Sequence, residues 1–170
     1  MSDMYINSGR MIDPLQISRY HFDIEELIHP ICMLARYGGQ TKAPYYVGEH
    51  TCKLYDVVPD SVKRCALLHD MSESIMVDMP RPIKHELPQY VELEEKIQEH
   101  IFWLFREPWA NMAVLKPYDD NMCIDEMDQV FDVPFKRPGK HKRLGITVEF
   151  WDWKKCKNEL TARCKQEGLI

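Results

Sequence analysis

With 170 residues, 45% of them hydrophobic and 29% charged, the chain can bury one core but not comfortably two, so residues 1–170 are read as one globular domain. No apolar run reaches the length of a membrane span and Met1 to Arg10 carries no signal-peptide apolar stretch, so a cytoplasmic protein without a membrane partner is expected. A net charge of −5 argues against a stable nucleic-acid partner, although a local cluster of Lys and Arg would still hold a small polyanion.

Residues 1–20 show no strong periodicity and are read as an extended N-terminal arm. Asp23 with Glu26 has the form of a capping box opening a short helix through Ile24, Leu27 and Ile28, which Pro30 should end. Arg36-Tyr37-Gly38-Gly39-Gln40 reads as a loop whose glycines permit close backbone approach; Arg36 is either a solvated loop charge or a ligand contact. Val47 to Val58 has helical apolar spacing with His50 on or beside the apolar face, where a lone histidine serves as a core residue or as a ligand. Pro59 breaks that pattern, and Asp60 can cap the helix carrying Val62, Cys65, Ala66 and His69.

The stretch Ala66 to Lys84, ALLHDMSESIMVDMPRPIK, sets His69 and Asp70 directly after an apolar run and adds Glu73 and Asp78 before Pro80-Arg81-Pro82. Ionisable groups on an apolar helix are costly to bury unless paired or metal-bound. Glu73 should lie one helical turn past Asp70.

After Pro88 comes what reads as the longest helix, through Val91, Ile97, Ile101, Leu104 and Phe105, with Glu92, Glu94, Glu95 and Glu99 as a solvated face and His85 and His100 at the surface. Leu115 to Phe131 reads as a further helix with Pro117 in its first turn. Asp119, Met122, Glu126 and Val130 share one face of it, whereas Asp120, Asp125 and Asp128 should be solvated. Lys136 to Arg143 is a basic loop. Thr147 can cap a last helix through Phe150, Trp153, Leu160 and Cys164, ended by Gly168. Cys32, Cys52, Cys65, Cys123, Cys156 and Cys164 include no C-x-x-C pair and read as reduced core thiols. No strand pattern survives beyond short pieces, so the expected fold is all-α: a compact helical bundle around a divalent-metal site.

Three segments supply the candidate metal ligands: His50, then His69 and Asp70, then Asp119. Two imidazoles and two carboxylates suit Co²⁺, Mn²⁺, Zn²⁺, Ni²⁺ or Fe²⁺, with Mg²⁺ also open, more than Ca²⁺. Such an ion activates bound water and polarises a phosphoryl oxygen, which favours hydrolysis of a phosphate ester.

In Glu49-His50, Leu68-His69-Asp70-Met71-Ser72-Glu73, Asp78-Met79-Pro80-Arg81-Pro82-Ile83-Lys84 and Lys116-Pro117-Tyr118-Asp119, the chain resembles the HD-domain phosphohydrolases, whose ligands follow the order H…HD…D. The resemblance runs from about Ile24 to Phe131 and is nearest to small phage-type dATP triphosphohydrolases and bacterial 5′-deoxyribonucleotidases. Those short phage-type enzymes usually have His where Gln40 stands and Ser where Tyr46 stands, differences that bear on substrate contact rather than on the ligands. The resemblance implies that Arg36 binds phosphate, that Glu73 positions or activates water, and that Asp78 is an acid-base or sugar-contacting group. Arg81 and Lys84 suit either further phosphate contacts or a solvated turn. The implied reaction converts dATP and water to deoxyadenosine and triphosphate and depletes dATP during phage infection. In phages that use 2-aminoadenine, it would keep adenine out of new DNA. The alternatives are a 5′-deoxynucleotidase acting on dNMPs and a non-catalytic nucleotide-binding regulatory HD module. A homo-oligomer is expected from the aromatics Trp103, Trp109, Phe150, Trp151 and Trp153, with the basic loop reaching a neighbour's pocket.

Overall fold

Apolar residues at helical spacing dominate the chain, and in the computed structural model, which describes residues 3–133 and 142–170, they form a mostly helical protein around one contiguous core. Strand structure in the described residues amounts to one small hairpin, β1 (Met4–Tyr5) with β2 (Met11–Ile12), so the all-α expectation stands. No helix among the described residues is long and apolar enough to cross a membrane.

Residues 3–20 are more structured than an extended arm. After the hairpin, Asp13 accepts the Leu15 N–H at 3.0 Å and opens a 3₁₀ segment over Pro14–Arg19. Arg10 donates to the Glu26 carboxylate at 2.7 and 3.1 Å, while Glu26 accepts the Asp23 N–H at 3.1 Å. One acid therefore anchors the hairpin and the start of α1 (Ile24–Ile31) together. Pro30 lies within the last turn of α1, where few downstream hydrogen bonds remain to be lost, and the helix ends one residue after it.

Helix α2 (Val47–Val57) is the centre of the molecule and packs against α1, α3 (Lys63–Leu68), α7 (Asn111–Val130) and α8 (Trp153–Gln166). Its first six residues, Val47 to Cys52, are all buried, Glu49 and His50 included. Gly48 permits the closest approach: a Cβ there would sit 2.8 Å from Cys32 Sγ and 3.1 Å from Cys156 Cβ. Alanine, ordinarily the better helix former by about 1 kcal/mol, is expected to destabilise at this position by about 1–3 kcal/mol through overpacking. Urea unfolding of Gly48→Ala checks it; an unchanged midpoint would show that the three elements separate at no cost.

The helix expected to run from Asp60 through the HD pair is broken. Asp60–Val62 is 3₁₀, with Asp60 paired to Lys63 at 2.8 Å rather than capping the helix, and α3 stops at Leu68. His69 Nδ1 donates to the Ala66 carbonyl at 2.8 Å, taking an acceptor that a continuing helix would use. Gln98 clamps the turn that follows, donating to the Leu68 carbonyl at 2.7 Å and accepting the Ser72 N–H at 3.0 Å. The chain re-enters a single turn, α4 (Glu73–Met76), then passes Val77 at φ 75°. That conformation is costly for a β-branched residue, of order 1–3 kcal/mol. Tyr90 holds it, its hydroxyl donating to the Met76 and Val77 carbonyls at 2.7 and 2.8 Å.

Arg81–Lys84 forms a short helix, α5, with Pro82 accommodated in its first turn. Helix α6 (Pro88–Leu104) follows, but α7 is the longest, because it begins at Asn111 rather than Leu115. Pro117 consequently lies in its second turn, opposite an exposed Ala113 whose carbonyl can reach water.

The last helix also starts later than Thr147. Segment 144–151 stays out of helix because other side chains take its N–H groups: Asp125 accepts from Leu144 and Gly145 at 2.7 Å, Gln129 from Val148 at 2.9 Å, and Glu49 from Glu149 and Trp151 at 2.6 and 2.7 Å. Asp125 is thus buried and structural, not solvated. Asp152 caps α8 through the Lys155 N–H at 2.8 Å. Gly168, at φ 65°, closes it in a Schellman turn in which the Leu169 N–H donates to the Cys164 carbonyl. All six cysteines are free and buried.

Candidate metal centre

His50 enters the site from the buried face of α2, His69 and Asp70 from the broken turn after α3, and Asp119 from the middle of α7. The two imidazole Nε2 atoms face one another at 3.3 Å. Asp119 Oδ1 lies 3.3 Å from His50 Nε2, and Asp70 Oδ2 lies 3.1 Å from His69 Nε2 and 3.6 Å from His50 Nε2. One ligand atom each from His50, His69 and Asp119 falls within a mutual 4.8 Å. Both histidines bond through Nδ1, to Glu126 and to the Ala66 carbonyl, which leaves both Nε2 atoms directed at the same point. Two convergent imidazoles with carboxylates beside them form a donor set that fits a mid-row divalent ion.

Fixed charges shape the acids. Burial alone would raise the carboxyl pKa values of Asp70 and Asp119, but the neighbouring imidazoles, with Arg36 also acting on Asp119, hold both below the usual range. Burial and the Arg36 charge push His50 down, yet the Glu126 and Asp119 carboxylates outweigh them and bring it up to about 9. Glu73 shows the opposite balance: burial, then Asp70 and Asp78, hold it well above the usual carboxyl range against the pull of Arg36. Its Oε2 is buried without a hydrogen-bond partner among the described residues. Asp78 is raised as well, by burial first.

Asp70 and Asp119, but not the two buried imidazoles, border a cleft of about 300 Å³. Arg36, Arg81 and Lys84 all line it, as do Glu73, Asp78 and the unanticipated Lys116. Each of the three expected cations is engaged by an acid. Arg36 lies 3.6 Å from Asp70 and 3.3 Å from Glu126. Arg81 bridges Asp119 at 3.2 Å and Asp120 at 3.0 Å. Lys84 pairs with Glu94, which is buried rather than part of a solvated face. Arg81, with its side chain 48% exposed, and Lys84 thus line the cleft as ion-paired residues. Asp128 pairs with Arg143, while Lys136, Arg137 and Lys140 of the basic loop lie outside the described residues.

Glu126 is the residue that sequence reasoning left without a role. It is fully buried and accepts from both tyrosine hydroxyls, Tyr37 and Tyr45, at 2.7 Å, as well as from His50 Nδ1. The available signal was its place two turns beyond Asp119 on the same face of α7, where an unpaired acid would be costly.

No protein-family model matches the chain. Among curated proteins it is similar to an uncharacterized protein of Rhodobacter capsulatus, 29% identical over 119 residues that cover 64% of this chain and 61% of the relative. It is also similar to YfdR, an uncharacterized protein of Escherichia coli strain K12, 30% identical over 97 residues that cover 57% and 54% of the two chains. The chain thus spans less than two thirds of the length of either relative, and neither name carries an activity.

Proposed function

We propose that the protein is an HD-type metal-dependent phosphohydrolase acting on deoxynucleotides, with dATP as the favoured substrate and deoxyadenosine and triphosphate as products. One observation carries the reading: His50, His69, Asp70 and Asp119, from three separate segments, converge at the edge of a cleft that also presents Arg36, Arg81, Lys84 and Lys116. When bound, a divalent ion would lower the pKa of water and polarise a phosphoryl oxygen. The chain's own groups do the rest. Arg36, held from behind by Glu126, meets phosphate oxygens together with Arg81, Lys84 and Lys116, the last three exchanging carboxylate partners for the substrate's charge. Glu73, whose Oε2 has no partner among the described residues, orients the attacking water, and takes its proton once the charge of a bound ion favours the carboxylate form. Asp78, carried into the cleft by the turn at Val77, contacts the sugar or the leaving oxygen. An adjoining cavity of about 430 Å³, bordered by Val91, Trp109 and Met112, offers an apolar wall to the nucleoside.

The test is a product assay with dNTPs and dNMPs in the presence of several divalent ions. Triphosphate from dATP supports the reading; orthophosphate from several dNMPs with dNTPs untouched favours the 5′-deoxynucleotidase. Nucleotide binding with no turnover under any ion would favour a regulatory module. The active form is proposed to be a homo-oligomer in the host cytoplasm of an infecting phage; Trp103, 72% exposed, is the type of aromatic side chain enriched at interface cores. Light scattering at low micromolar concentration should give a mass above the 20.2 kDa of one chain, and a fully active monomer would refute the assembly.

A further inference from the structure

We propose that Glu126 is a positioning residue that aims the His50 lone pair at the metal centre and holds Arg36 beside it, so that ion binding and anion binding depend on one buried carboxylate. The proposal rests on the metal-centre reading above and assigns a role to a residue outside the ligand set.

Four groups meet this carboxylate. Oε1 takes the Tyr45 hydroxyl at 2.7 Å and His50 Nδ1; Oε2 takes the Tyr37 hydroxyl at 2.7 Å and lies 3.3 Å from the Arg36 guanidinium in an ion pair. A carboxylate accepts only, so the two hydroxyls and His50 Nδ1 must each donate to it. For His50 this places a hydrogen on Nδ1 and leaves Nε2 for an ion, 3.3 Å from both His69 Nε2 and Asp119 Oδ1. For Arg36 it fixes the planar head, whose other edge lies 3.6 Å from Asp70. The side chain of Glu126 is completely excluded from solvent, so water cannot replace a lost partner cheaply.

An amide cannot serve the same four neighbours. With its oxygen toward His50, a glutamine side chain at this position would aim an N–H at Arg36, donor against donor, and would force the Tyr37 hydroxyl to turn from donor to acceptor. With its nitrogen toward His50, it would require an acceptor at Nδ1 and so move the hydrogen to Nε2, the ligating atom. Outer partners of metal-bound histidines commonly contribute about 10–100-fold to metal affinity.

The experiment compares wild type with Glu126→Gln by Zn²⁺ titration, by binding of inorganic tripolyphosphate to the Zn²⁺-loaded protein, and by ¹H–¹⁵N NMR of histidine-labelled protein. Wild type should show an exchange-protected, downfield His50 Nδ1–H proton with or without Zn²⁺. Glu126→Gln should lose that signal, bind Zn²⁺ about 10–100-fold more weakly and bind tripolyphosphate more weakly. Unchanged Zn²⁺ affinity with the Nδ1–H signal intact overturns the role at His50, and unchanged tripolyphosphate binding overturns the role at Arg36. If the variant does not fold, the wild-type spectrum still decides, because an unprotected or absent Nδ1–H contradicts the proposal. A protected Nδ1–H in a wild type that takes up no divalent ion upholds the positioning of His50 and sinks the metal reading instead.

Discussion

Asp70→Ala is expected to lose metal-dependent turnover completely and to remain folded. The carboxylate sits 3.1 and 3.6 Å from the two imidazole Nε2 atoms and 3.6 Å from Arg36, so its removal takes away a ligand and one of the two carboxylates that flank the guanidinium. Arg36 would then face the ion position with less compensation, and the affinity for any dication should fall. Stability rests on other atoms of the same segment: Leu67, Leu68 and Met71 are fully buried and the Gln98 clamp bonds to the backbone. Metal content after desalting, activity across a metal titration and a urea melt check the three parts. Full activity at saturating metal would remove Asp70 from the centre. His50→Ala and Asp119→Ala should fail similarly, and pairs of these changes should cost little more than one, as with residues that act as a unit.

Glu73→Gln should reduce turnover by about 10²-fold or more while metal and nucleotide binding persist. The amide keeps the size and polarity of the side chain but cannot take a proton from water. Failure of the variant to bind metal would instead make Glu73 a ligand. The same change should alter stability in the metal-free protein, with a sign set by burial. A carboxyl held well above its ordinary value of 4.5 binds its proton more tightly in the folded state. Its contribution is therefore full at acid pH and declines as pH rises from the unfolded value toward the folded one. Glu73→Gln lacks that decline, so its advantage in urea midpoint over wild type should grow as pH rises above the ordinary value of 4.5. A pH-independent difference would show that Glu73 is not held protonated by its surroundings.

Periodicity and caps read from the sequence placed α1, α2 and the body of α6 and α7, because each buries a stripe whose spacing is set by the helix itself. The candidate ligands were legible for a related reason: His50, His69, Asp70 and Asp119 are polar groups set against apolar runs, which local chemistry marks as costly without partners. Where elements stop was another matter. The break after Leu68 depends on Gln98, about thirty residues further along, and the non-helical run before α8 depends on Glu49, Asp125 and Gln129 taking its N–H groups. Charge was the least legible property. Glu94 and Asp125 look like solvated acids in a helical pattern, yet both are buried, because only packing decides which side of a helix is covered. By itself the sequence determined a helical chain carrying an ordered set of metal-type ligands. The tertiary structure alone decided that those ligands meet, that their cations begin paired to acids, and that Glu126 stands behind His50, because each of these is a contact between segments with no local signature.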